Sequence, residues 1–381
     1  MNDSKFKKIL SILLKIEFKI PVKNKIYLVD GSKNNFLKKI IKKNFAVYNR
    51  EKFNFFILIQ LIFKKKFSSF DFHLNYLETY LRFVQAKVFI STIDNNPLYW
   101  SIKKRIPNLK VLLIQNGWRM KGGDIFDKKK IIPENNYQVD YFFTFNASVS
   151  RLYSKYINAN FVEIGSYKNN FNSIKKNKKN NKILYVSEFK DERHRFKQKK
   201  YKISYDSYMR PDRSLLPFLK EFCLKNKFRL EILPRSFSEK EYLFYRNILG
   251  ARDWTYKNKI KNSYQYTDKV NLVVFICTTL GYEVIARKNK VAGFCCKLHP
   301  YLPKKKGSRS FGWPIYGYKD SGFFWVNKMN LNNFEKKLKN LMKMSKTQWN
   351  LKISNYRNNI MIYNKNNYKL REIISKVCNN L

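Results

Sequence analysis

Residues Val270–Ala286, VNLVVFICTTLGYEVIA, constrain this chain more tightly than any other stretch. From Val270 to Ile276 the run has almost no polar face. As a strand it has to be covered on both sides, which is the environment of a parallel sheet layered between helices. Cys277-Thr278-Thr279 then forms a polar turn, and Leu280-Gly281-Tyr282-Glu283 opens a helix. Such a turn projects backbone N–H groups and hydroxyls from the carboxyl end of the strand. The helix dipole adds positive potential there, so the turn suits a phosphate. An ordinary buried strand followed by a Thr-capped helix has the same pattern. Glu283, one step into the helix, is placed to accept hydrogen bonds from a ribose or sugar hydroxyl.

The same unit recurs along the chain. In the first half, apolar runs at 25–32, 45–48, 87–97, 111–119, 139–146 and 160–166 read as strands, several ending in polar or glycine-containing turns. Helical patterns lie between them at 34–43, 53–66, 71–85, from Pro97 through Lys104, and at 147–157. The polar segment 167–182, YKNNFNSIKKNKKNNK, has no apolar period and reads as a linker. Beyond it the alternation restarts: strand 183–187, helix 215–225, strand 228–233, helix 239–249, the organising strand and its helix, and strand 290–294. Helices at 331–344, 348–363 and 368–377 close the chain; the pattern does not determine whether the last returns to the first half. Alternating strands and helices predict α/β architecture, with two Rossmann-like doubly wound domains facing a cleft. The expected division is a first domain at 1–166, the linker at 167–182 and a second domain at 183–381. Ligands of such sheets bind beyond the carboxyl ends of the strands.

Composition narrows the function classes. A hydrophobic content of 44% with 17% aromatic residues indicates a folded chain. The formal charge of +51 invites a nucleic-acid reading. However, the lysines are spread from Lys5 to Lys376 and accompany abundant Asn, Ile, Phe and Tyr, the residues of A/T-rich codons. What remains favours anionic surfaces or phosphate-bearing substrates. The five cysteines show no metal-clip spacing and are expected as reduced thiols. With no secretory signal and no apolar run long enough to span a bilayer, the expectation is a cytoplasmic protein. Residues 4–20 pattern as a basic amphipathic helix, with Phe6, Ile9, Leu10, Leu13, Leu14 and Ile16 mainly on one face. It either packs on its own domain or lies on an anionic membrane at the inner face of the cell membrane.

Taken in order, STIDNN (91–96), IQNGWR (114–119), VDYFFTF (139–145), EIGS (163–166), ILYVS (183–187), ILPR (232–235), TTLGYE (278–283), GFFW (322–325) and QWN (348–350) resemble bacterial surface-carbohydrate biosynthesis proteins of the capsule and lipopolysaccharide type. These are similar to glycosyltransferases of GT-B type. The resemblance runs from about residue 26 nearly to the end of the chain. It implies a sugar transferred from a nucleotide-activated donor, held by the second domain, to a glycan or lipid-linked acceptor hydroxyl held by the first. No cofactor and no metal ligand is implied. Position by position, Thr278, Thr279 and Gly281 would contact the donor phosphate, with Tyr282 beside them and Glu283 on the sugar or ribose. Arg235 would neutralise the phosphate, a task suited to a bidentate guanidinium. Ser187 would sit at the first turn of the donor domain.

For the acceptor side, Asn95, Gln115, Asn116 and Arg119 stand at strand ends as binding groups. Asp94 is the first candidate for general base on the acceptor hydroxyl, the alternative being an Asx turn that caps the helix near Pro97. Asp124 and Glu188 are weaker candidates for that role. CMP-sugar users of this shape often carry a His-Pro pair upstream of the Ser/Thr pair. Here Pro234-Arg235 stands in that place and His299-Pro300 follows instead, so His299 reads as a loop residue and the nucleotide stays open. Transfer of a polyol phosphate from a CDP-glycerol-like donor is the alternative chemistry, and a basic nucleic-acid-binding protein the alternative class.

Overall fold

The computed structural model describes residues 15–29, 35–41, 44–66, 71–119, 136–174, 180–191, 193–301, 310–312 and 319–380. The amphipathic face at Phe6–Leu14, the turn at Asp30, Gly31 and Ser32, and Gly122, Gly123 and Asp124 lie outside them.

The apolar runs become two six-stranded parallel sheets. A short parallel pair, β1 (Ile16–Glu17) and β4 (Phe53–Asn54), lies beside the first. That sheet is built from β2 (Ile26–Val29), β3 (Ala46–Tyr48), β5 (Val88–Ser91), β6 (Lys110–Ile114), β7 (Tyr137–Thr144) and β8 (Ile157–Glu163), in the spatial order β3-β2-β5-β6-β7-β8. The second contains β9 (Asn180–Val186), β10 (Arg229–Leu233), β11 (Trp254–Tyr256), β12 (Val270–Phe275), β13 (Val291–Phe294) and β14 (Trp325–Val326), in the order β11-β10-β9-β12-β13-β14. Strand order reverses between β9 and β12, so the turns after these two strands diverge and open a crevice. Val111–Ile114 and Leu272–Ile276 are fully buried, as runs with no polar face have to be.

The abundant asparagine has a local use. Asn54, Asn96, Asn146, Asn262 and Asn330 each cap a helix by accepting a backbone N–H through the side chain. Asn96 takes the capping place that the sequence pattern offered to Asp94.

Of the segment read as a linker, Tyr167–Asn170 is a short helix and Asn180 already opens β9. The final helix, Tyr368–Asn379, returns to the first sheet, where Leu370, Ile374 and Cys378 pack with Ile26, Leu28, Ile90 and Leu112. The chain therefore crosses between the halves twice. Arg287, fully buried and paired with Asp268, donates to Asn169 Oδ1 (2.9 Å), the Asn172 carbonyl (2.8 Å) and the Ser173 carbonyl (3.0 Å), tying the outward crossing to the second half. On the return crossing, Asn146 Nδ2 donates to the Ile360 carbonyl (2.6 Å).

Three local expectations are corrected. Residues 16–17 are a strand rather than the end of an amphipathic helix, because their backbone pairs with β4. The helix expected at 215–225 begins at Tyr205 and carries Pro211 and Pro217 inside it. The helix expected at 147–157 stops at Tyr153, and β8 starts at Ile157, earlier than the strand read at 160. Among the described residues no helix is long and apolar enough to cross a membrane.

Candidate functional site

The turns after β9, β10 and β12 enclose a cavity of about 330 Å³, walled by Ser187, Glu188, Lys190, Arg235, Thr278 and Thr279 among others. Each wall has a local cause. Thr278 is the N-cap of helix Thr279–Ala286, its Oγ1 accepting from Leu280 N (3.3 Å), so the first turn of that helix faces the cavity. Arg235 is carried by a loop that Glu241 organises: its carboxylate accepts from Arg235 N (2.8 Å), Ser236 N (2.7 Å) and Ser236 Oγ (2.6 Å). The Arg235 side chain is exposed and makes no ion pair among the described residues. An unpaired guanidinium and a helix N-terminus, both lining the cavity, favour an anion there.

Ser187 is structural in part. Its hydroxyl donates to Glu241 and accepts from Tyr245 OH (2.6 Å) and Phe189 N (3.1 Å). Beneath it, Lys297 is fully buried between Asp212 Oδ2 (3.1 Å) and Glu188 Oε2 (3.4 Å), with the Tyr208 ring 4.4 Å away. Burial alone would lower the Lys297 pKa, but Asp212, Tyr208 and Glu188 outweigh it and hold the ammonium charged.

Three residues assigned by resemblance to the donor have other work in the structure. A Cβ on Gly281 would lie 2.3 Å from the Phe275 ring, so this glycine lets the helix approach its own strand rather than a phosphate. Tyr282 is buried between Trp118 (6.2 Å, stacked) and Phe311 (5.6 Å), and its hydroxyl accepts from Gly312 N (3.2 Å). Burial pushes its phenol pKa well up. Glu283 points to the seam between the halves, accepting from Ser166 Oγ and from Tyr264 OH (3.2 Å). Burial raises its pKa, only partly offset by Ser166, Lys168 and Tyr264. Thr279 meets the first half, its Oγ1 accepting from Trp118 N (3.4 Å).

On the facing side, Asp94 is fully buried. Its Oδ2 accepts from Arg119 Nε (2.9 Å) and Tyr153 OH (2.7 Å), and its Oδ1 from Asn116 N (3.2 Å) and Arg119 Nη2. A carboxylate so saturated holds a loop together and has no room for a proton from an acceptor. Gln115 is likewise engaged: Nε2 donates to the Gly117 carbonyl (2.9 Å) and Oε1 accepts from Phe145 N (2.7 Å). Arg119 is spent on Asp94. Asn95, half-buried, remains as an open amide; Asn116 is exposed, its Oδ1 accepting from Tyr167 OH (3.4 Å) while its Nδ2 has no partner among the described residues. His299 is a buried loop residue after β13, its Nδ1 accepting from Tyr301 N (3.2 Å).

Sequence reasoning missed Lys297, Asp212, Glu241 and Trp118. The Ser187-Glu188 strand end was the one available signal for this cluster; the buried cation carries no pattern of its own.

No curated protein matches the chain in sequence. Among solved structures, the wall teichoic acid polymerase TagF is 13% identical over 94% of this chain and 91% of its own, with a TM-score of 0.50. MnaA of S. aureus in complex with UDP is 11% identical over 93% of this chain and 97% of its own, with a TM-score of 0.53. These similarities show the fold, two Rossmann-like domains in the GT-B arrangement. A family model described as "putative O-antigen biosynthesis protein" matches residues 112–378, well over half of the chain. The chain therefore belongs to that O-antigen biosynthesis family, a family of surface-carbohydrate assembly.

Proposed function

We propose that the protein is a transferase of surface-glycan assembly that takes a sugar from a nucleotide-activated donor and passes it to a glycan or lipid-linked hydroxyl. The observation that carries this reading is the cavity at the β9/β12 reversal, which both the exposed Arg235 and the amino end of helix Thr279–Ala286 line. In this reading they hold the donor's phosphate and stabilise the negative charge that develops on it as the bond to the sugar breaks. The acceptor approaches from the first sheet, where Asn95 and Asn116 offer hydrogen bonds. Asp94 enters as a positioning group that fixes Arg119 and the Asn116 amide. Transfer of a polyol phosphate is the second reading, because Arg235 and the helix N-terminus would equally stabilise a phosphoryl group under attack.

The test is calorimetric titration with UDP, CMP, CDP and GDP, with and without Mg²⁺. One nucleotide is expected to bind, and Arg235→Ala is expected to weaken it by about tenfold or more, the size of a lost charge-assisted hydrogen bond. CDP selectivity would favour the polyol-phosphate reading. If no nucleotide binds while a random oligonucleotide does, the transferase reading fails and the net charge of +51 gains meaning as a nucleic-acid footprint.

A further inference from the structure

The resemblance gives the hydroxyl-reading role to Glu283, yet that carboxylate faces Ser166 and Tyr264 at the seam and is absent from the cavity walls. Glu188 stands two residues beyond β9 and lines the cavity. It is only 7% exposed, and its Oε2 receives no hydrogen bond among the described residues, although Lys297 Nζ stands 3.4 Å away. Lys297 is shared, its hydrogen bond going to Asp212, whose other oxygen accepts from Tyr185 OH (2.6 Å). One ammonium thus serves two buried carboxylates, and the less well satisfied of the two, that of Glu188, belongs to a residue lining the cavity. A buried carboxylate oxygen without a donor is costly, and a bound donor group would relieve it. Phosphate is excluded there by like charge, which leaves it to the Arg235 side. Neutral hydroxyl groups fit.

Resting on the donor-site reading above, we infer that Glu188 is the specificity-determining residue of the cavity, accepting hydrogen bonds from vicinal hydroxyls of the donor while Arg235 and the helix N-terminus take its phosphate. The hydroxyls belong either to the nucleotide's ribose or to the group being transferred, and both present the same donor chemistry.

The experiment measures dissociation constants of the full chain and of Glu188→Gln for CDP and UDP, for their 2′,3′-dideoxy counterparts, and for CDP-glycerol and UDP-glucose, each with and without Mg²⁺. Glu188→Gln is expected to weaken the hydroxyl-bearing ligand by about tenfold or more. If the loss is seen with the nucleotide itself and vanishes with the dideoxy form, the ribose is read. If only the whole donor loses affinity, the transferred group is read; both results support the inference. Equal binding of every ligand by both proteins overturns it and leaves the donor site standing. A loss seen only with Mg²⁺ also overturns it, since Glu188 would then be a cation ligand. A wild-type chain that binds no nucleotide removes the donor-site reading and this inference with it. Thermal melting checks folding. Glu188→Asp, which keeps the charge beside Lys297 and withdraws the carboxylate from the cavity, is expected to show the same selective loss and serves if Glu188→Gln does not fold.

Discussion

The carboxyl ends of the two sheets carry similar polar residues and use them in opposite ways. At the first sheet, Asp94 and Arg119 bond to each other and to Tyr153, and Gln115 bonds to the backbone, leaving little hydrogen-bonding capacity for a ligand. At the second, Arg235 is exposed, Thr278 caps a helix whose first turn faces an open cavity, and Glu188 keeps an oxygen without a hydrogen bond. Polar residues at a strand end therefore mark two things, a braced loop or a binding wall. The distinction lies in whether other side chains arrive to satisfy them.

The comparison breaks most readily at Asp94. If the first-sheet end is a brace, Asp94→Ala leaves Arg119 buried without a counter-charge and costs about 3–5 kcal/mol, measured by urea unfolding. A variant of unchanged stability with abolished turnover would reverse the assignment and restore Asp94 as a base. Gly281→Ala is next, because its methyl would enter the Phe275 ring. Overpacking of this kind costs about 1–3 kcal/mol, and a stability unchanged by the substitution would show that the helix does not sit so close to its strand. Glu283 gives a smaller effect that depends on pH. Burial raises its folded pKa above the ordinary 4.5, so between that value and the folded one the native chain retains a proton that the unfolded chain has released. Its contribution to stability is therefore present at low pH and declines as pH rises through this window. Glu283→Gln, which cannot ionise, is expected to have the flatter stability profile; parallel profiles would move Glu283 away from the buried seam. Smallest of all, Arg235→Ala is expected to leave stability unchanged to within about 0.5 kcal/mol, since the side chain is exposed, while nucleotide affinity falls.

How far the molecule was legible follows the same division. Val111–Ile114 and Val270–Ile276 announce themselves because a strand buried on both faces has to be apolar throughout. The helix at Tyr205–Lys225 was half hidden by Pro211 and Pro217, which ordinarily punctuate a chain. β14, with two residues, is set by its neighbour β13 and has no pattern to read. At the site, the polar strand ends were visible. Their saturation was not, because Tyr153, Tyr245 and Glu241 reach Asp94 and Ser187 from far along the chain. Lys297 was hidden for the same reason: a lysine among 78 basic residues gives no sign that it is fully buried.

The return of the last helix to the first sheet bears on how the protein is made. Leu370, Ile374 and Cys378 cover a face that Ile26, Leu28, Ile90 and Leu112 present from early in the chain. On a ribosome, that face waits through the synthesis of the entire second half before its cover emerges. The usual order, in which an amino-terminal domain completes its fold first, is closed to this chain. During that interval the exposed strands are a surface for chaperones or for misassociation, and a nascent chain that stalls before Tyr368 leaves one face of its first sheet without its cover.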